Sequence, residues 1–159
     1  MSIPLLLLGG ILLLSCQRIE TRKEKYANGQ LKARWEVTVS KEGEFKNGIS
    51  EEFWEDGSQK SIVNYSDNRE HGVFRAYFKN GNIAAEINYL EGLMHGDYKE
   101  WYDNGNKKRF TNYKNGNIHG GLKTWNSNGE IVSRATFKNG ICKKGDCDNV
   151  SSKTPAKLN

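Results

Sequence analysis

Apolar and polar residues alternate along this chain in short runs, and glycines stand between the runs. Leu31, Ala33, Trp35, Val37 and Val39 alternate with polar neighbours, as do Ile83, Ala85, Ile87 and Tyr89, and Ile131, Ala135 and Phe137 follow a similar pattern. A period of two with aromatic and β-branched residues predicts half-buried strand. The glycines between the runs are themselves periodic. Gly57, Gly81, Gly105 and Gly129 are spaced by 24 residues, each after Asp or Asn: Asp56, Asn80, Asn104, Asn128. A second series, Gly92, Gly116 and Gly140, has the same spacing, and so does a third, His71-Gly72, His95-Gly96 and His119-Gly120. A fixed period of this length marks a repeat array.

Asn-Gly and Asp-Gly predict two-residue hairpin turns of type I′, in which both central residues take φ > 0. The second glycine series closes the other turn, at Tyr89-Leu90-Glu91-Gly92 and its equivalents. Each unit then consists of two short strands and two turns. The first unit is irregular. It opens at Tyr26-Ala27-Asn28-Gly29 and closes at Phe45-Lys46-Asn47-Gly48, with a longer hairpin or an added loop at Ser40–Gly43, and without a His-Gly element. Terminal repeats are often atypical because one side has no neighbour.

The motif aromatic-aromatic-x-Asn-Gly, then Tyr/Phe-Lys-Asn-Gly-x-x-His-Gly, resembles the MORN repeat in its bacterial variant. It stands clearest in Trp101-Tyr102-Asp103-Asn104-Gly105 and Tyr113-Lys114-Asn115-Gly116-Asn117-Ile118-His119-Gly120. The resemblance covers roughly Tyr26 to Ile141. It implies an all-β fold: a single-layer antiparallel meander of 24-residue hairpin repeats, about five hairpins and ten strands. That variant is often grouped with toxin–antitoxin-type antitoxins. A lone hairpin is marginal, so the hairpins must stabilise one another. Two aromatic columns recur, Phe53/Tyr77/Trp101/Trp125 and Tyr65/Tyr89/Tyr113/Phe137. They read as packing between neighbouring hairpins, or, more sharply, as a stacking platform for a ligand.

The amino-terminal segment bears on location. Ile3 to Leu14 carries no charge and is shorter than the roughly 20 residues of a spanning helix. It ends in Leu13-Leu14-Ser15-Cys16, which resembles a bacterial lipobox. The resemblance implies a signal peptide over residues 1–15, lipidation of Cys16 and anchoring by two or three acyl chains. Gln17 rather than Asp follows, which fits an outer-membrane destination where a cell has two membranes. Residues 16–25 read as a charged tether, 26–141 as the repeat domain, and 142–159 as a Cys-x4-Cys loop with a disordered tail.

The chain carries 24 Lys+Arg against 19 Asp+Glu, a formal charge of +5, and its mean hydropathy is −0.77. Lys107-Lys108-Arg109 forms the one basic cluster, and with Trp101, Tyr102 and Trp125 it makes the candidate binding set. This charge reads as that of a solvated, aggregation-resistant sheet, with weak contact with anionic lipid or an acidic polymer as the alternative. Export and the lack of a nucleic-acid-binding motif argue against nucleic acid. Cys142 and Cys147 are a candidate disulfide in an oxidising compartment.

No catalytic residue, cofactor or metal site is expected. Histidines one repeat apart would stand two strands, roughly 9–10 Å, from one another, too far to share a zinc ion whose ligands lie at about 2 Å. No nucleophile elbow, zinc-protease or phosphate-loop motif occurs. The functional expectation is a lipid-anchored, non-catalytic scaffold for a protein partner or the envelope surface. An antitoxin- or immunity-type role is the alternative. An exposed apolar face would add self-association.

Overall fold

The computed structural model describes residues 18–148, so Cys16 with its lipobox and the tail from residue 149 lie outside the described residues. Among the described residues twelve strands form one antiparallel sheet in chain order: β1 (Arg18–Lys25), β2 (Leu31–Ser40), β3 (Gly43–Phe53), β4 (Gln59–Ser66), β5 (Arg69–Tyr77), β6 (Ile83–Leu90), β7 (Leu93–Trp101), β8 (Lys107–Lys114), β9 (Asn117–Ile118), β10 (Gly120–Trp125), β11 (Ile131–Lys138) and β12 (Ile141–Gly145). β9 and β10 are two parts of one strand position, both paired with β8 and interrupted at His119. This is the all-β hairpin meander that the 24-residue period predicts.

Three local expectations need correction. Arg18–Lys25, read as a tether, is strand β1, paired with β2 from Arg18↔Val39 to Lys25↔Leu31. Its pairing rests on the backbone, and its residues are charged, so it lacks the apolar alternation that flagged the other strands.

The turns of the first series, at Gly57, Gly81, Gly105 and Gly129, are not type I′. Gly81 N donates to Phe78 O and Phe78 N to Asn82 O, both at 2.9 Å, and of the three loop residues only Gly81 has φ > 0. This is a three-residue loop, a type I turn closed by a left-handed glycine. Asparagine is useful there for its side chain: Asn80 Oδ1 accepts the Asn82 amide at 3.0 Å, bridging over the glycine. The type I′ turns are the other series. Glu91 and Gly92 have φ 51 and 80, and Asn115-Gly116, Asn139-Gly140 and Asp67-Asn68 match them.

Asn47-Gly48 does not close the first unit. It lies inside β3, where Glu36 alone faces Asn47, Gly48 and Ile49, because Val37 pairs with Lys46 and Trp35 with Ser50. His95-Gly96 occupies the same kind of bulge, opposite Asn88. Gly48 is 24 residues before Gly72, so Asn47-Gly48 is the His-Gly element of the first unit. The hairpin turns instead at Ser40–Gly43, and its strands are lengthened accordingly.

A second bulge recurs after each of the five three-residue loops, at Gly29, Gly57, Gly81, Gly105 and Gly129. Glu100 pairs with Arg109 and Trp101 with Lys107, leaving Lys108 as the extra residue. Lys32, Lys60, Ala84 and Val132 stand in the same place. A bulge of this kind puts two neighbouring side chains over one partner residue and increases the local twist.

One face of the sheet carries the core. Tyr98 and Leu122 are 1% exposed and Thr111 is fully buried, with Ile87, Ala85, Tyr113, Ala135 and Phe137 around them. Burial this deep in a single layer requires a sheet coiled so that the side chains of one face cover each other. Tyr113 does not stack on the next residue of its own column. It packs diagonally on Tyr98, with centroids 5.8 Å apart, as Tyr89 does on Phe74 at 6.4 Å. The Phe74/Tyr98/Leu122 column is therefore a third structural series, which the two aromatic columns alone did not reveal.

Both sheet margins carry hydrogen bonds from one hairpin to the next. Gly92 N donates to Glu70 O, Gly116 N to Met94 O and Gly140 N to Ile118 O, at 2.8–2.9 Å. On the opposite margin Asn80 and Asn82 both donate to Asp103 O, and Asn104 and Asn106 both to Ser127 O.

Candidate interaction face

Register assigns every candidate binding residue to a face, because residues directly opposite in an antiparallel pair share one. Glu100 pairs with Ala85 and Arg109 on the core face. Lys108, the bulge residue, reaches the same carboxylate: its Nζ lies 2.6 Å from Glu100 Oε1. Arg109 Nε lies 4.0 Å from Glu100 Oε2, and Tyr98 Oη donates to that oxygen at 3.1 Å. Tyr102 lies beside this group, with Lys108 Nζ 5.7 Å from its ring and its hydroxyl donating to Trp125 O at 2.9 Å. Three of the six candidates, Tyr102, Lys108 and Arg109, are thus engaged within the fold.

The other three, Trp101, Lys107 and Trp125, belong to the opposite, outer face. Trp101 pairs directly with exposed Lys107, and Trp101 and Trp125 are half-buried. The sequence cluster Lys107-Lys108-Arg109 is split between faces by the bulge.

A cross-strand row runs across the outer face through successive pairings: Arg75↔Glu86, Glu86↔Lys99, Lys99↔Phe110, Phe110↔Lys123 and Lys123↔Arg134. Its middle is neutralised. Glu86 binds Arg75 Nε and Lys99 Nζ, each at 3.1 Å, and the Lys99 hydrogen bond, followed by that of Arg75, holds its carboxyl below the usual carboxylate range. Arg34–Glu51 is the corresponding pair nearer the amino-terminal end. Beyond Phe110 this pattern stops. Lys123 and Arg134 stand directly opposite each other, both exposed, and no carboxylate among the described residues forms an ion pair with either. The nearby Asp146 carboxylate is used on the Arg134 backbone amide, at 3.0 Å. Like charges placed opposite across a ladder are destabilising.

Composition along the chain agrees. Residues 105–148 hold nine Lys and Arg against three Asp and Glu, whereas residues 1–104 hold thirteen against sixteen. The positive surplus of the whole chain is therefore concentrated after the loop at Asn104-Gly105. Phe110, Lys123 and Arg134 were missed in the sequence because they lie on three strands. Counting charge repeat by repeat would have pointed to them.

The histidines sit on successive bulges. His95 Nδ1 lies 3.2 Å from Asn115 Oδ1, and His119 Nδ1 lies 3.1 Å from Asn139 Oδ1, each bridging to a left-handed turn residue. Among the described residues no group of three or more His, Cys, Asp or Glu is arranged to hold a metal ion. Cys142 and Cys147 are disulfide-bonded, with Cα atoms 5.8 Å apart, and Cys142 packs against the core.

Residues 70–91 and 94–115 match the family model described as MORN repeat variant. Each matched segment spans one hairpin, β5–β6 and β7–β8, with the Asn-Gly loop in its middle. The in-phase neighbours on either side build the same hairpin with the same two bulges. No curated protein matches the chain. A match to a repeat module supports a repeat-built interaction scaffold and brings no catalytic chemistry with it.

Proposed function

We propose that this chain is a non-catalytic scaffold, held on a cell-envelope membrane by lipid on Cys16, that binds an acidic protein partner through the outer face of β8, β10 and β11. The observation that carries this reading is the Phe110–Lys123–Arg134 row, in which a half-buried ring adjoins two exposed cations that have no ion-pair partner among the described residues. Trp101, Lys107 and Trp125 extend the same face. Aromatic and Arg side chains are the residues enriched where interface energy concentrates, and complementary charge steers the encounter. An antitoxin- or immunity-type role is the special case in which the partner is a toxin acting in the envelope.

Crosslinking in intact cells followed by mass spectrometry tests the proposal. Wild-type chain should capture one stoichiometric protein. The Lys123→Glu/Arg134→Glu variant should lose that protein by about tenfold or more, equivalent to ~1.4 kcal/mol, with an unchanged melting curve. Undiminished capture by the charge-reversed variant would overturn this choice of face. A toxic activity in the captured protein would select the immunity reading. Globomycin sensitivity and an acyl mass on Cys16 test the anchor separately, and a Cys16→Ser chain should leave the membrane while keeping its partner.

A further inference from the structure

The two edges of this open sheet are protected differently. β12 is five residues long, and the chain turns back beyond it: Asp146 N donates to Arg134 O, and the disulfide closes Cys142 onto Cys147. β1 is eight residues long, contains neither Pro nor Gly, and among the described residues neighbours only β2. Among those residues charge is its one guard. Charged side chains ordinarily deter pairing at a sheet edge, so their arrangement matters.

That arrangement alternates in sign along one face. Arg18, Glu20, Arg22 and Glu24 oppose Val39, Val37, Trp35 and Ala33, and so lie on the core face. Antiparallel pairing with a second copy, with Thr21 opposite Thr21, sets Arg18 against Glu24 and Glu20 against Arg22. By symmetry this makes four opposite-charge contacts. A slip of two residues in total either way brings Arg against Arg and Glu against Glu or Glu against Glu and Arg against Arg. Only the Thr21 register matches every charge on this face, and a one-residue slip would put the two core faces out of phase.

We infer that β1 is a self-recognition edge, and that two copies join there antiparallel, about a two-fold axis at Thr21, into one continuous sheet. The interface is isologous, as a two-fold contact must be, and its main-chain bonds are those of strand addition. Within one copy the same side chains already pair, Arg18 and Arg22 with Glu20 and Arg22 with Glu44. Dimerisation exchanges those partners, so backbone hydrogen bonding supplies the affinity and the charges supply the register. This edge is distinct from the outer face proposed for the acidic partner, and either proposal can fail without the other.

A charge-swap experiment tests it, with sedimentation equilibrium of the full chain in a non-ionic detergent. Wild type should be dimeric. Glu20→Arg alone and Arg22→Glu alone each set like charges together and should weaken the dimer by about tenfold or more. An equimolar mixture of the two variants restores every opposite-charge contact and should recover the dimer. Thr21→Cys should form an intermolecular disulfide under mild oxidation, because directly opposed strand residues have Cα atoms about 4.5–5.5 Å apart. A monomeric wild type, or a mixture no more associated than its components, would overturn the inference. If a single variant fails to fold, Thr21→Cys crosslinking in the otherwise native chain decides the question: no crosslink, no β1 dimer.

Discussion

Glu100 accepts Lys108 across the bulge at 2.6 Å, and the residue eight positions before each bulge repeats this relationship elsewhere. Glu24 pairs with Lys32 and Glu52 with Lys60, at 2.6 and 3.7 Å, whereas the corresponding positions are Ala76 with Ala84 and Thr124 with Val132. The bulge site thus holds either an ion pair or two uncharged side chains. A charged residue facing an apolar one does not occur in any of the five.

The Glu100 pair therefore has unequal halves. Glu100→Ala leaves Lys108, Arg109 and the Tyr98 hydroxyl without their acceptor, at a cost of about 2–3 kcal/mol. Lys108→Ala leaves Glu100 still bound to Tyr98 and near Arg109, and should cost about 1 kcal/mol or less. Urea denaturation of both variants and of the double Ala variant would show this. The double variant, which reproduces Ala76/Ala84, should be less destabilised than the sum of the singles.

Two adjacent glycines separate conformational from steric demand. Gly120 sits on a bulge with φ 95, while Gly121 has ordinary strand φ, and an added Cβ meets nothing within 4 Å at either. Gly120→Ala should cost about 1–2 kcal/mol through the left-handed backbone alone. Gly121→Ala should be neutral to within about 0.5 kcal/mol. Equal melting temperatures for the two would refute the assignment of the His-Gly element to a strained bulge.

Stability should fall at both ends of the pH range. Glu86 is depressed by Lys99 and Arg75, so its contribution is complete above its unfolded value of about 4.5 and is lost as pH falls through the lower folded value. Glu86→Gln should flatten that acid limb. Burial pushes the phenols of Tyr65, Tyr89, Tyr98 and Tyr113 above their ordinary 10.0. Their ionisation therefore favours unfolding as pH rises beyond about 10. Phenolate absorbance should show these four phenols titrating together with loss of sheet signal.

The disulfide closes a short loop at the end of the sheet. Chain-entropy reasoning gives about 2 kcal/mol for a loop of this size. Reduction should speed amide exchange in β12 and β11 while leaving β5–β8 unchanged, because each hairpin contacts only its neighbours.

The repeat period, the strands and both turn series were legible because they depend on residues close in sequence. Turn type was less so. Asn80-Gly81 satisfies the same dipeptide rule as a type I′ turn, but the recurring one-residue bulge and the Asn80–Asn82 side-chain bond belong to the three-residue loop. β1 was missed since six of its eight residues are charged, and only Ile19 is apolar. Gly48 was assigned to the wrong series because it follows Phe-Lys-Asn, which imitates the turn motif, although its distance to Gly72 fixes its true phase. Of the binding set, Trp101, Lys107 and Trp125 reach the outer face. Tyr102, Lys108 and Arg109 serve Glu100 and the core instead.

Taken alone, the sequence determined that this chain is a string of hairpins at a 24-residue step, since strand alternation and glycine turns are local properties of the backbone. Which side chains share a face was decided only in the folded sheet. Each bulge shifts the alternation by one residue, so Lys107 and Lys108 part company, while Phe110, Lys123 and Arg134, far apart in the chain, become one row through cross-strand register.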